Sequence, residues 1–251
     1  MILNVDGIEF SYPSKNVLKN IKFSVNRGEV VSILGINGAG KSTLLKCINR
    51  ILKPQKGTVF IDEFDLRQLS GKKIAQKMAY VPQNISENNF MTVFDTVLLG
   101  RKPYIEWDAT EKDLEITGNI LKLMQLEKYA LHNAFELSGG ELQKVIIARA
   151  LVQEPRVLLL DEPANNLDLK NQLEVMELIG NISKTKNIAA IMVIHDLNLA
   201  LRFSDKFIML KDEKIFSEGN SQIITSQNIK EVFNVDAYVD KYNDIPIVVL
   251  A

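Results

Sequence analysis

The run "EVVSIL" is followed at once by Gly35-Ile36-Asn37-Gly38-Ala39-Gly40-Lys41-Ser42, and then by "KSTLLKCINRIL". Glycine in a loop raises the entropy cost of folding and packs nothing, so three glycines and a lysine between a strand and a helix require compensation. Their spacing, G-x-x-x-x-G-K-[ST], is that of a phosphate-binding loop. The glycines let backbone N–H groups converge on one point. That point is also the N-terminus of the next helix, where unpaired N–H groups and the helix dipole favour anions. Lys41 is placed to reach β- and γ-phosphates, and the Ser42 hydroxyl to ligate Mg²⁺.

The rest of the chain fits this α/β start. Its 251 residues, 46% hydrophobic and 24% charged, can bury a large core. A net charge of −1 gives no global basic field, so nucleic acid is not an expected partner. The single cysteine, Cys47, excludes an intrachain disulfide and suits a reducing compartment. No basic-then-apolar leader and no apolar run near the length of a membrane span is found, so the chain itself is expected to be soluble.

Along the chain, Ile2, Val5, Ile8, Phe10 and "VLKNIKFSV" read as short antiparallel edge strands. The helix after the phosphate loop is expected to stop near Lys53-Pro54. "GTVFIDEFDL" and "KMAYVPQN" read as strands. From about Asn84 to Phe135 helical stripes take over, at Val93, Val97 and Leu98, then at Leu114, Ile120, Leu121, Met124 and Leu126. Between them "GRKPYIEWDAT" reads as a loop ending in an N-cap. Its Tyr104 and Trp107 either pack inside the helical insertion or face a partner. Strand–helix alternation then resumes with "RVLLLDEP", "DLKNQLEVMELIGNISKTK", "NIAAIMVIHD" and "LNLALRFSD". "KFIMLKDEKIFSEG" reads as a hairpin and "TSQNIKEVFNV" as the final short helix.

Asp161 and Glu162 close the buried strand "RVLLLDEP". Adjacent acids there are costly unless cations or hydrogen bonds compensate. With a phosphate loop in the same sheet, Asp161 is expected to hold Mg²⁺, usually through water, and Glu162 to face an attacking water as base or as a water-orienting group. At "LSGGE", Ser138 and Glu141 form a capping box, and Gly139 and Gly140 expose N–H groups for a second anion.

These motifs, in this order and spacing, resemble the ATP-binding subunits of ABC transporters over essentially the whole chain. "GINGAGKS" looks like Walker A, "VLLLDEP" like Walker B and "LSGGE" like the family signature. The resemblance implies an α/β fold: a P-loop NTPase core with a mostly parallel sheet, an antiparallel β subdomain at the N-terminal side and an α-helical insertion. Residues 1–83 and 155–251 would form the core with the antiparallel region. About 84–154 would form the insertion, ending in the signature helix. It implies ATP as ligand with Mg²⁺. ATP would contact Gly35, Asn37, Gly38, Ala39, Gly40, Lys41, Ser42 and Thr43, with Tyr12 of "FSYP" stacking on adenine. Gln83 of "YVPQN" would contact Mg²⁺ and water, and His195 of "VIHDLN" the γ-phosphate. Ser138, Gly139 and Gly140, with Asp168 of "NNLD", would act at the interface of a head-to-tail homodimer.

"TVFDTVLLGRKPY" and "HDLNLALRFSD" look like the ATPases of metal-chelate importers, whose cargoes include iron siderophores, haem and cobalamin, and in some relatives molybdate. Partners would then be integral-membrane permease subunits and, indirectly, a substrate-binding protein, on the cytoplasmic face of the membrane. The permease would dock between Gln83 and about Trp107, through positions such as Asn88, Phe90 and Lys102. The chain departs from the family at Ala164, Asn165 and Asn166, where "T-S-A" is frequent. It departs again at Glu63 and Glu213, where turn glycines are common, so those turns are expected to differ from type I′.

Overall fold

The apolar runs that close on the phosphate loop and on Asp161 become strands of one parallel sheet, separated by a single strand. The computed structural model describes residues 1–83, 91–242 and 245–251. The chain begins with β1 (Leu3–Tyr12), β2 (Lys15–Val25) and β3 (Val30–Leu34), then α1 (Lys41–Ile48). Next come β4 (Lys56–Ile61), β5 (Phe64–Asp65), α2 (Gly71–Ala75) and β6 (Met78–Val81). Three helices follow: α3 (Val93–Leu98), α4 (Glu111–Leu123) and α5 (Gly139–Leu151). β7 (Val157–Asp161), α6 (Leu169–Lys186), β8 (Ala189–Val193) and α7 (Leu197–Phe203) restore the alternation. The chain continues through β9 (Lys206–Lys211), β10 (Lys214–Gly219), α8 (Ser226–Phe233), β11 (Ala237–Tyr242) and β12 (Ile245–Leu250).

The main sheet has the order β10-β9-β3-β8-β7-β6, parallel except for the β9–β10 hairpin at its edge. β3, β7 and β8 are buried at every residue, the condition for a parallel strand covered on both faces. Their side chains alternate between two cores. Leu34, Leu158, Leu160, Ala190 and Met192 pack with α5, α6 and α7. Val31, Ile33, Leu159, Ile191 and Val193 pack with α1 and the antiparallel sheet β2-β1-β4-β5. With strands this constrained, the β3–α1, β7 and β8 ends are rigid platforms for the loops they carry.

Between β6 and β7 the described residues hold helices and no strand. A buried ion pair fastens them. Arg101, 3% exposed, donates to Asp113 Oδ1 (2.9 Å), the Val152 carbonyl (2.7 Å) and Glu154 Oε2 (2.8 Å). Hydrogen bonds from Thr110 and then Arg101 hold the Asp113 carboxyl below the usual carboxylate range. Tyr104 lies under the guanidinium at 4.0 Å and donates to the Gln153 carbonyl. Tyr104 therefore packs inside, whereas Trp107 is 94% exposed. Asn88 and Phe90 lie outside the described residues.

Several expectations needed correction. α1 ends at Ile48, because Arg50 takes a left-handed φ of 55° and the chain turns about five residues before the expected stop near Lys53-Pro54. α8 is the last helix, as expected, but the β11–β12 hairpin that follows it was not expected. The Asp212-Glu213 turn has φ of 48° and 69°, positive at both central residues, and so has the φ signs of a type I′ turn without glycine. At Asp62-Glu63 only Asp62 is positive, so that turn does differ from type I′. No helix among the described residues is long and apolar enough to cross a membrane.

Candidate functional site

The phosphate loop owes its shape to positions that only glycine fits. Gly40 is the N-cap of α1 at φ 97°, and a Cβ there would lie 2.8 Å from Val17 Cγ1. Gly35, at φ 151°, would press a Cβ to 2.6 Å from the Leu210 carbonyl oxygen. Among the described residues the other seven α-helices each carry a side-chain cap, whereas α1 has none. Its first-turn N–H groups are therefore left to an anion. Lys41 is buried and donates to the Gly35 and Ile36 carbonyls at 2.7 and 2.9 Å. Burial lowers its pKa, and the Glu162 and Asp161 carboxylates pull it back up. A cation held between a polar loop and two acids suits a polyphosphate with its metal.

Three neighbouring strand ends deliver the acidic half. Asp161, 2% exposed at the end of β7, accepts from Ser42 Oγ at 2.8 Å and Tyr80 Oη at 3.0 Å. Burial and then Asp161 raise the Tyr80 pKa, which keeps the phenol a donor. Glu162 turns out of the strand at a left-handed φ of 54°. Its Oε1 lies 2.6 Å from His195 Nε2, just beyond β8, and its Oε2 accepts from Gln83 at 2.8 Å and Asn165 at 2.7 Å. Gln83 thus meets Glu162, while Ser42 and Asp161 meet each other. A hydroxyl and a buried carboxylate beside a phosphate loop are a hard-oxygen donor set of the kind Mg²⁺ uses.

A cavity runs along the loop, lined by Asn37, Gly38, Gly40, Lys41, Ser42 and Thr43, by Glu162, and by Tyr12, Lys15 and Val17 of the β1–β2 region. Tyr12 is 44% exposed and packs at a right angle to Phe10, ring centroids 5.0 Å apart. Gly35 and Ala39 complete the loop backbone, the Ala39 N–H donating to the Ile36 carbonyl at 3.2 Å. Ser138, Gly139 and Gly140 do not line this cavity. Ser138 caps α5 through the expected box with Glu141, and Gly140 abuts Asn171, where a Cβ would come within 2.4 Å of Oδ1. Asp168 caps α6 and accepts from the Asn171 N–H at 2.8 Å. Sequence reasoning missed Lys15, Tyr80 and Asn165. Tyr80 was signalled only by lying three residues before Gln83, on the strand beside β7.

The family model described as ABC transporter matches residues 18–165, more than half of the chain. The chain belongs to the ABC transporter family. It is 66% identical over 249 residues to an uncharacterized ABC transporter ATP-binding protein of Methanocaldococcus jannaschii, covering 99% of this chain and 98% of the relative. It is 32% identical over 240 residues to the petrobactin import ATP-binding protein of Bacillus anthracis, covering 94% and 88%. Among solved structures, a chain described as an inward-facing metal-chelate type ABC transporter superposes with a TM-score of 0.87 at 28% identity, covering 100% and 96%. A dimeric post-hydrolysis ATP-binding cassette bound to ADP and Pi superposes with a TM-score of 0.74 at 30% identity, covering 87% and 98%. The fold is that of an ABC cassette, and the enzymatic class is ATPase.

Lys41→Ala removes the buried cation from the loop. ATP affinity, measured by fluorescent-nucleotide titration, is expected to fall about 100-fold or more, given roughly 1.5–3 kcal/mol for each charge-assisted hydrogen bond lost. Wild-type affinity in a variant with an unchanged circular-dichroism spectrum contradicts the assignment of the loop.

Proposed function

We propose that this chain is the ATP-hydrolysing subunit of an importer for a metal chelate, of the iron-siderophore, haem or cobalamin class. The observation that carries the ATPase chemistry is the convergence of Gln83, Glu162 and His195, from three separate segments, beside the Ser42–Asp161 pair. The cargo class is supported by the petrobactin-import relative and the metal-chelate type structure.

In this reading the loop from Gly35 to Thr43 binds the phosphates through backbone N–H groups, with Asn37 and Ala39 at its crest. Tyr12 stacks on adenine. Ser42, Asp161 and Gln83 would hold Mg²⁺, which when bound neutralises charge on the β- and γ-phosphate oxygens. Glu162 takes a proton from the attacking water as a P–O bond forms and the bond to the departing ADP breaks. His195 donates to the γ-phosphate, which requires its Nε2 to carry the proton. The signature residues Ser138, Gly139 and Gly140 lie off their own chain's cavity, so they serve the ATP of a second copy, with Asp168 beside them. ATP then joins two head-to-tail copies and its hydrolysis releases them, a population shift driven by a ligand that favours the closed state. A dimeric cassette with ADP and Pi among the structural neighbours supports this assembly. We further propose that residues 84–154 act as a helical subdomain through which the pair sits peripherally on the cytoplasmic face of a permease, fed by a substrate-binding protein.

Glu162→Gln keeps the shape of the site but removes the base. It is expected to bind ATP normally, to hydrolyse it about 10²–10⁴-fold more slowly, and to accumulate as an ATP-dependent dimer on size-exclusion chromatography. A variant that hydrolyses at the wild-type rate contradicts the role of Glu162. One that stays monomeric with ATP while wild type dimerises contradicts the role of ATP as interfacial ligand.

The exposed Trp107 is an interface anchor of the kind aromatic residues supply. Cysteines placed at Trp107 or Lys102 are expected to crosslink to the cytoplasmic loops of the co-purified permease. Native Cys47 does not interfere, because it is buried and its thiol is pushed up to about 12. Crosslinks formed only from the region of Lys211 contradict the docking face.

A further inference from the structure

Three donors hold the Glu162 carboxylate, and two of them have other work in the reading above. Gln83 reaches it from beyond β6 and His195 from beyond β8. Both must turn toward metal, water or γ-phosphate when nucleotide is bound. Asn165 has no such second assignment. It lies three residues along the same turn, its own N–H donating to the Glu162 carbonyl at 3.1 Å. Its side-chain amide is fixed at both ends. The Asn166 N–H donates to Asn165 Oδ1 at 2.9 Å, which turns the NH₂ group to Glu162 Oε2 at 2.7 Å. Asn166 supports this bend with a left-handed φ of 59°, and Ala164 anchors it in the core at 7% exposure.

A general base needs one oxygen free for the proton and a carboxylate plane that does not wander. Glu162 leaves its strand at a left-handed φ, and the contacts to Gln83 and His195 are not available throughout turnover. We infer that Asn165 is a positioning residue for ATP hydrolysis: it pins Oε2 of Glu162 through the cycle and leaves Oε1 to accept the proton from water. Asparagine at this position, where the family pattern frequently has serine, supplies this because its donor sits one bond farther from Cβ than a serine hydroxyl and so reaches the carboxylate across the turn. The inference rests on the assignment of Glu162 as base.

The test is the steady-state ATPase of Asn165→Ala, with Glu162→Gln and the double variant measured alongside in single-turnover assays. Asn165 does not line the nucleotide cavity, so ATP affinity and KM are expected to stay near wild type in N165A while kcat falls about tenfold or more, the scale of a misplaced reacting group. In the Glu162→Gln background there is no base to position, and adding N165A is expected to change the residual turnover by less than twofold. An N165A kcat within twofold of wild type overturns the inference. So does an equal loss from N165A in the wild-type and Glu162→Gln backgrounds, which marks a structural effect not routed through Glu162. If Glu162→Gln itself hydrolyses ATP at the wild-type rate, the base assignment falls and this inference falls with it.

Discussion

Asp161 accepts one hydrogen bond from Ser42 at the head of α1 and another from Tyr80 on β6, at 2.8 and 3.0 Å. A carboxylate 2% exposed is costly to bury, and these two donors are what make it tolerable. They also tie three pieces of chain into one frame: the phosphate loop, the outer parallel strand β6 and the central strand β7. Everything chemical in the site is referred to that frame. Lys41 is buried on one side of it, and Glu162 is the next residue on the other, steered outward by its left-handed φ of 54°. β7 is itself held between β6 and β8 in continuous register, with Asp161 opposite Val193, so His195 arrives from a strand that cannot slip without the whole sheet slipping.

The helix N-termini divide the labour. α1 carries no side-chain cap and opens with Gly40, so its N–H groups face the cavity. α5 carries a full capping box from Ser138 and Glu141, and its opening residues lie off that cavity. The first turn of α6 bridges the two regions. Asp168 caps it, and Asn171 lies against Gly140 so closely that no Cβ fits between. The ten residues from Glu162 to Asn171 therefore connect the reacting carboxylate of one site to the tip of the signature helix, which the proposed head-to-tail pairing assigns to the other site.

Much of this was legible in the sequence because it rests on local rules. Unbroken apolar runs marked β3, β7 and β8, the glycine spacing marked the phosphate loop, and S-x-x-E marked the cap of α5. Thr110 was read as a cap because it closes a loop before an apolar stripe. What was missed depends on tertiary contacts or on weak patterns. The strands β11 and β12 contain "DKY" and a proline, which interrupt their alternation, and their anchor is a pair of hydrogen bonds between Asn198 and Val248, 50 residues apart. The early end of α1 comes from Arg50 adopting positive φ, which no glycine announces. The type I′ signs at Asp212-Glu213 are fixed by the pairing of Lys211 with Lys214, against the preference of the turn residues themselves. Tyr80 and Asn165 act through partners that sequence spacing does not reveal, 81 and 3 residues away.

The most direct test of this frame is the Mg²⁺ dependence of ATP hydrolysis in Asp161→Asn. The substitution is nearly isosteric and keeps an acceptor oxygen for Ser42, while its NH₂ group takes the place of the oxygen facing Tyr80 and can donate to that hydroxyl; the charge is removed. The account predicts that hydrolysis is lost, and that Mg²⁺ no longer strengthens ATP binding, while the fold stays intact by circular dichroism. Hydrolysis of Mg²⁺-ATP by that variant at the wild-type rate would contradict it.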